Sequence, residues 1–143
     1  DALVLVNPLP PAPWRHAMTP RTWDDVVAWQ RDARLDSTRA AMADADEASV
    51  LFAFRHWRDE SGQVMRQAQA GIEVAKPGCP ALFVVSSQDE DVSPGIILDW
   101  ARTWQAEVLE TIAGSHVGPL LGQHAQAIAA QTVAWLNRAE LSD

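Results

Sequence analysis

Two apolar runs of the sequence are each followed by side chains that can carry catalytic chemistry. Asp89 and Asp91 come soon after a run that ends at Val85, and His116 comes soon after a second run that ends at Ile112. A carboxylate that accepts a hydrogen bond from one imidazole nitrogen leaves the other nitrogen free to take a proton from a nucleophile. The pattern predicts such a pair between His116 and one acid of the cluster at residues 89–91, with Asp89, Glu90 and Asp91 as the candidates.

Asp89, Asp91 and His116 are also residue types that bind metal ions. No H-E-x-x-H or comparable ligand spacing accompanies them, so a metal site is the weaker hypothesis and no cofactor is expected. Three further histidines stand in a linker or on predicted helices and suit packing or surface positions: His16, His56 and His124. The single cysteine, Cys79, excludes an internal disulfide and a cysteine zinc cluster, and it is expected to be inert.

The elements that must position the acid and the histidine alternate between strand and helix patterns. Uninterrupted apolar runs at residues 2–6 and 81–85 predict strands buried on both faces, and residues 107–112 predict a shorter strand near a sheet edge. Helical spacing follows at residues 94–104 and again at 121–135. This order predicts an α/β fold with three parallel strands and flanking helices. Catalytic groups of such sheets gather beyond the carboxyl ends of the strands.

Helical periodicity dominates the segment between the first two strands. A helix is predicted to begin at Thr22, with acidic residues in its first turn and with Trp23, Val26 and Val27 on its inner side. A second helix is predicted from about Asp46, and a third over residues 64–72. We interpret these elements as a helical layer separate from the sheet.

The chain therefore divides into a core strand with its exit loop at residues 1–13, a helical layer at 14–76, which we call the cap, and a C-terminal core at 77–143. The tryptophans of the cap are candidates for lining a pocket for a small apolar or aromatic substrate, although packing within the cap explains them equally well. They are Trp14, Trp23, Trp29 and Trp57. The others lie at helical spacing and are predicted to be buried in the core: Trp100, Trp104 and Trp135.

These patterns resemble the C-terminal half of the α/β-hydrolase fold. In that family the strand before the last leads into G-x-x-D-x-x-V-P. Residues 86–93 of this chain read SSQDEDVS, with Asp89 at the acid position and serines where Gly and Pro are usual. The family's last strand leads into a loop of small residues that carries the histidine, which here is His116. The resemblance implies that these two residues belong to a catalytic triad and that residues 14–76 form the family's cap.

The family's nucleophile elbow, G-x-S-x-G, follows a strand upstream of the one at residues 3–6, and this sequence contains no such motif. The resemblance therefore implies a hydrolase of esters, lactones, thioesters or amides whose nucleophile comes from an N-terminal half present as a second chain. An apolar strand at residues 3–6 would otherwise lie at an exposed edge, which favours the same partner. Because the chain starts at Asp1 and not at methionine, proteolytic cleavage of a longer precursor is its expected origin.

Two alternatives stay open at this point. Members of the family with an aspartate nucleophile hydrolyse carbon–halogen bonds or epoxides, and this chain could belong to such an assembly. A hydrolase-like binding or scaffold module without turnover is an alternative of a different class. The missing nucleophile is the feature that favours it.

The composition excludes several other classes of protein. The chain has 143 residues, is 48% hydrophobic and carries 11 basic against 19 acidic side chains, for a net charge of −8. Such an apolar content suits a packed domain and argues against disorder. The acidic balance argues against a nucleic-acid partner, and no apolar run has the length of a membrane span. The start shows no signal-peptide pattern, so a cytoplasmic protein without a membrane partner is expected.

Overall fold

The computed structural model describes residues 1–17, 20–29, 33–112 and 114–140. Its strands and helices, in chain order, are β1 (Leu3–Val6), β2 (Val26–Val27), α1 (Leu35–Ala41), α2 (Glu47–His56), β3 (Glu60–Ser61), α3 (Gly62–Ala70), β4 (Ala81–Ser86), α4 (Pro94–Trp104), β5 (Glu107–Thr111), α5 (Gly118–Leu121) and α6 (Ala125–Glu140). The fold is mixed α/β, as the sequence predicts.

A three-stranded parallel sheet with the order β1-β4-β5 forms the centre of the molecule. Leu5 pairs with Phe83, and Phe83 pairs with Val108, so β4 lies between the other two strands. The predicted parallel strands and the predicted edge position of β5 are thereby confirmed. All three strands point the same way, so their carboxyl ends, and the loops that leave them, lie at one side of the sheet.

Helices cover both faces of β4, which explains why its sequence is apolar without alternation. Phe83 and Val85 pack against Trp100 of α4, whereas Leu82 and Val84 pack against Trp135 of α6. Trp104 joins the first cluster, so the prediction that the three C-terminal tryptophans are buried is confirmed. The half-buried residues of β1 extend both clusters toward the outer side of the sheet.

The predicted helix at Thr22 is wrong. Val26 and Val27 instead form β2, which pairs antiparallel with β3. Two adjacent β-branched residues favour an extended backbone, and the carbonyl groups that a helix would use are bonded elsewhere. Gly62 N–H donates to Asp25 O at 3.0 Å, and Arg66 donates to the carbonyl of Trp23 at 2.8 Å. The cap therefore contains a small sheet besides its helices.

The predicted helices near residues 46 and 64 are confirmed as α2 and α3, and α1 is an additional helix whose sequence carries no clear period. Asp46 caps α2 by accepting a hydrogen bond from Ser49 N–H at 2.7 Å. Met42, which follows α1, packs with Val50 and Ala53 of α2. This packing, more than local propensity, accounts for the short helix α1.

The last helix begins at Ala125, later than the predicted start at Leu121. Leu121 belongs to the short helix α5, which has Pro119 in its first turn. Gly122 ends α5 at a place where a Cβ atom would lie 2.7 Å from Gly118 O, and its backbone turns to an extended conformation there. None of the described helices has the length and hydropathy that are needed to cross a membrane.

Candidate functional site

Asp89 and His116 meet at the carboxyl ends of two neighbouring strands. Asp89 lies three residues beyond β4, and His116 lies five residues beyond β5. The two loops leave the sheet side by side, and Asp89 Oδ2 lies 2.8 Å from His116 Nδ1. The predicted pairing of these two side chains is therefore present in the structure, although they are 27 residues apart in sequence.

The Asp89 carboxylate is held by the backbone of its own loop. Its Oδ1 accepts hydrogen bonds from the N–H groups of Asp91 at 2.8 Å and Val92 at 3.1 Å, while Oδ2 accepts from His116. The Asp89 side chain is 0% exposed, whereas that of Asp91 is 60% exposed. A buried carboxylate with all of these donors is fixed in one orientation. The structure thus brings Asp89, and not Asp91, to the ring of His116.

The pair also shifts the ionisation of both members. Burial would raise the pKa of Asp89, but the hydrogen bond from His116 and those from the loop N–H groups outweigh burial and hold this pKa below its ordinary range. The hydrogen bond to Asp89 raises the pKa of His116 against the opposing effect of burial, and the negative charges of Asp89 and Asp91 add to the rise. Because an ionised carboxylate only accepts, Nδ1 carries the proton and Nε2 of the neutral ring is the basic nitrogen.

Asn7, at the end of β1, forms hydrogen bonds with the end of β4 and with the loop after β5 that carries His116. An asparagine before proline is typical of a simple turn, but the side chain of Asn7 is buried and hydrogen-bonded on both sides. Its Oδ1 accepts from Ser86 N–H at 2.9 Å, and its Nδ2 donates to Ser86 Oγ at 2.8 Å and to the carbonyl of His116 at 2.6 Å. The backbone of Asn7 has a φ of 39°, a left-handed conformation that Asn tolerates better than most residues. Its position directly after a strand is the feature of the sequence that could have indicated a place near the site.

A cavity of about 500 Å³ lies between the histidine and the cap. His116 and the acid loop form one side of it, and residues of β2, β3 and α3 form the other. Its apolar lining residues are Leu9, Trp23, Val27, Met65, Ala68 and Val92. Its polar lining residues are Arg21, Glu60, Gln69, Glu90, Asp91 and His116. This volume suits a small organic molecule placed next to the imidazole.

Of the four cap tryptophans that were candidates for lining a pocket, the structure places Trp23 in the cavity wall. Its Nε1 donates to Gln69 Oε1 at 3.2 Å, which links the segment before β2 to α3. Trp14 packs instead on Trp100 of α4, with ring centroids 6.0 Å apart. Trp29 and Trp57 pack edge to face with each other, with ring centroids 5.0 Å apart. These three are not among the described lining residues of the cavity.

Asp89, Asp91 and His116 also satisfy the simplest geometric requirement for a metal site. Each offers one ligand atom, and these atoms lie within 4.8 Å of one another. Both oxygens of Asp89 already accept hydrogen bonds from the protein, so the described contacts stabilise its negative charge without an ion. Neither His56 nor His124, both of which are exposed, joins this group. The side chain of His16 lies outside the described residues.

Sequence comparisons do not assign this site to a known family. A scan against models of protein families finds no match, and a search of curated proteins finds no relative. The activity must therefore be inferred from the geometry of the acid–histidine pair and its cavity.

Proposed function

We propose that this chain supplies the acid and the general base of a hydrolase with the α/β-hydrolase arrangement. The observation that carries the proposal is the 2.8 Å hydrogen bond between Asp89 Oδ2 and His116 Nδ1 beside the cavity. In the reaction, His116 Nε2 takes the proton of a nucleophile as that nucleophile attacks the carbonyl carbon of an ester, lactone, thioester or amide. The same nitrogen then gives the proton to the leaving group, while Asp89 stabilises the imidazolium.

The nucleophile comes, in this proposal, from a further segment that extends the sheet at β1. No hydrogen bond joins His116 Nε2 to a hydroxyl or thiol of the described residues. In the parallel ladder, Leu3 and Asn7 donate to β4, so the N–H and C=O groups of Val4 and Val6 point to the opposite edge. Within the described parts of the chain no strand pairs with that edge, and all four residues of β1 are only half-buried. An added strand would satisfy these groups and cover the apolar side chains.

The lining of the cavity favours a small, uncharged substrate with an apolar or aromatic group. Leu9, Met65 and Trp23 provide apolar contact area. Among the described lining residues there are three carboxylates and one guanidinium, which lies 3.9 Å from Asp91 in an exposed and therefore weak ion pair. The negative balance disfavours a substrate that carries a carboxylate.

Hydrolysis of a short-chain aryl ester by the purified protein, with any chain that remains bound to it, tests the proposed role of His116. His116→Ala removes the base and is expected to lower kcat/KM by about 10²–10⁴-fold. The matched control is His124→Ala, because His124 is exposed and is not among the lining residues of the cavity. Activity that survives His116→Ala unchanged would exclude the triad, whereas a parent protein without hydrolytic activity would favour a binding module without turnover.

Native mass spectrometry tests the proposed partner segment. We expect a species heavier than the 15.7 kDa of this chain. Val4→Pro removes an N–H group that faces the free edge of β1, so it is expected to release the partner while the ladder between β1 and β4 is kept. Val4→Ala keeps that N–H group and is the control. A stable, folded monomer of the parent chain alone would refute the proposed partner.

A further inference from the structure

Asp44 links the cap to the loop that carries His116. It lies in the turn between α1 and α2, 70 residues before the loop. Its Oδ2 accepts a hydrogen bond from Gly114 N–H at 2.9 Å, and its Oδ1 accepts one from Ser115 Oγ at 2.6 Å. Both donors directly precede His116. The two carboxylate oxygens thus hold the same short loop at adjacent residues.

The packing around Asp44 joins the same two parts of the molecule. Met42 beside it belongs to a buried cluster with α2, and Val117 and Leu121, which follow the histidine, pack against that cluster. The backbone carbonyl of Asp44 also accepts a hydrogen bond from Gln123 N–H at 3.0 Å. A Cβ atom at Gly122 would lie 2.9 Å from Asp44 Oδ2, so only glycine lets the chain pass this close. The turn of the cap and the histidine loop therefore form one packed unit.

Three hydrogen bonds, two of them to backbone atoms, hold the histidine loop from two directions. Asp44 bonds the residues before His116, and Asn7 of the core donates to the carbonyl of His116 itself at 2.6 Å. Asp89 then orients the ring. Loops are the mobile parts of a fold, and a catalytic ring that moves by about 1 Å loses much of its effect on rate.

We infer that Asp44 is a positioning residue through which the cap sets the place of the His116 imidazole. The inference rests on the proposed function of His116. Asp44 is not among the described residues that line the cavity, so its loss should act on the chemical step and not on substrate binding. Movement of the hairpin of α1 and α2 would be transmitted to His116 through this carboxylate.

Asp44→Ala tests the inference. Alanine removes both acceptor oxygens, so both hydrogen bonds to the histidine loop are lost. Asparagine is a weaker test, because its oxygen can accept from Gly114 N–H while its NH₂ group donates to Ser115 Oγ. We expect kcat of Asp44→Ala for an aryl ester to fall by about 10- to 100-fold, with KM within about twofold of the parent value. The Nδ1 proton of His116, observed by NMR, is expected to exchange faster with solvent. The matched control is Asp46→Ala, two residues away, which removes the cap of α2 and no hydrogen bond to the histidine loop.

Ser115→Ala removes one donor to Asp44 and is the second variant, with a smaller loss of kcat expected in the same direction. If Asp44→Ala does not fold, Ser115→Ala carries the test alone. Folded variants with unchanged kcat, or with an unchanged His116 Nδ1 proton, would overturn the inference. Failure of the proposed function is distinguished by His116→Ala: if that variant keeps full activity, the base assignment fails, whereas the NMR signal still reports whether Asp44 holds the loop.

Discussion

Asp89→Asn is the substitution for which the structure makes the sharpest prediction, because the loop dictates how an asparagine would sit. Asp89 Oδ1 accepts from the N–H groups of Asp91 and Val92. The carbonyl oxygen of an asparagine must keep that place, since an NH₂ group there would face two donors. Its NH₂ group then points to His116 Nδ1. This ring nitrogen must become an acceptor, and the proton moves to Nε2, where the base is needed.

The size of the effect follows from the contacts that change. A hydrogen bond to a charged group contributes about 1.5–3 kcal/mol and one between neutral groups about 0.5–1.5 kcal/mol, so replacing the first by the second corresponds to about a 5- to 13-fold fall in rate. The wrong tautomer of His116 adds to this loss, and in Ser-His-Asp enzymes the combined effect on kcat is about 10⁴-fold. The fold itself should survive, because the two backbone hydrogen bonds to residue 89 remain.

The assay pairs ester hydrolysis with ¹⁵N NMR of the imidazole, which reports the tautomer directly. We expect the parent protein to show the proton on Nδ1 and Asp89→Asn to show it on Nε2. Asp91→Asn is the control, since Asp91 is exposed and accepts no hydrogen bond from the ring; its kcat/KM should stay within about threefold of the parent value. A folded Asp89→Asn protein with kcat/KM within about twofold of the parent, or with the proton still on Nδ1, would refute the reasoning.

Three further predictions concern ionisation, the strand ends and the cavity. Hydrolysis needs neutral His116, so kcat/KM should fall as the pH drops through a pKa above the ordinary 6.5. The raised pKa also means that the ion pair stabilises the fold fully below the unfolded-state pKa and loses this contribution as the pH rises through the folded-state pKa. His116→Ala should therefore lower the free energy of unfolding more at about pH 5.5 than at about pH 9; an equal loss at both would contradict this. Asn7→Leu leaves buried donors and a carbonyl without partners and should cost about 2–4 kcal/mol in urea unfolding, against less than about 0.5 kcal/mol for the exposed Asn137→Leu. Ala68→Trp should fill the cavity and lower kcat/KM by about tenfold or more, whereas Ala70→Trp, outside the lining, should not.

The sheet and the position of the site were predictable because both depend on local patterns. An uninterrupted apolar run such as residues 81–85 suits a strand that is covered on both faces, and the structure places it at the centre of the sheet. Parallel strands bring the loops after their carboxyl ends together, so an acid of the cluster at residues 89–91 could be paired with His116 from the strand ends alone. Helices α2 and α3 were predictable for a similar reason, since each has its own cap and period.

Other features depend on contacts between distant parts of the chain. Val26 and Val27 form a strand because Glu60 and Ser61 pair with them, and no pattern around Thr22 reveals that partner. A one-turn helix and a short strand differ little in local free energy, so the tertiary contact decides between them.

The sequence by itself determined the α/β fold class, the candidate acids and the histidine, because apolar periodicity and strand ends depend only on the types of consecutive residues. Only the tertiary structure decided which acid meets the ring, since two backbone N–H groups orient Asp89 while Asp91 stays in solvent. Tertiary structure alone also brought Asn7 and Asp44, 109 and 70 residues away from their partners in the histidine loop, to that loop. Their hydrogen bonds depend on chain segments that only folding brings within about 3 Å of each other.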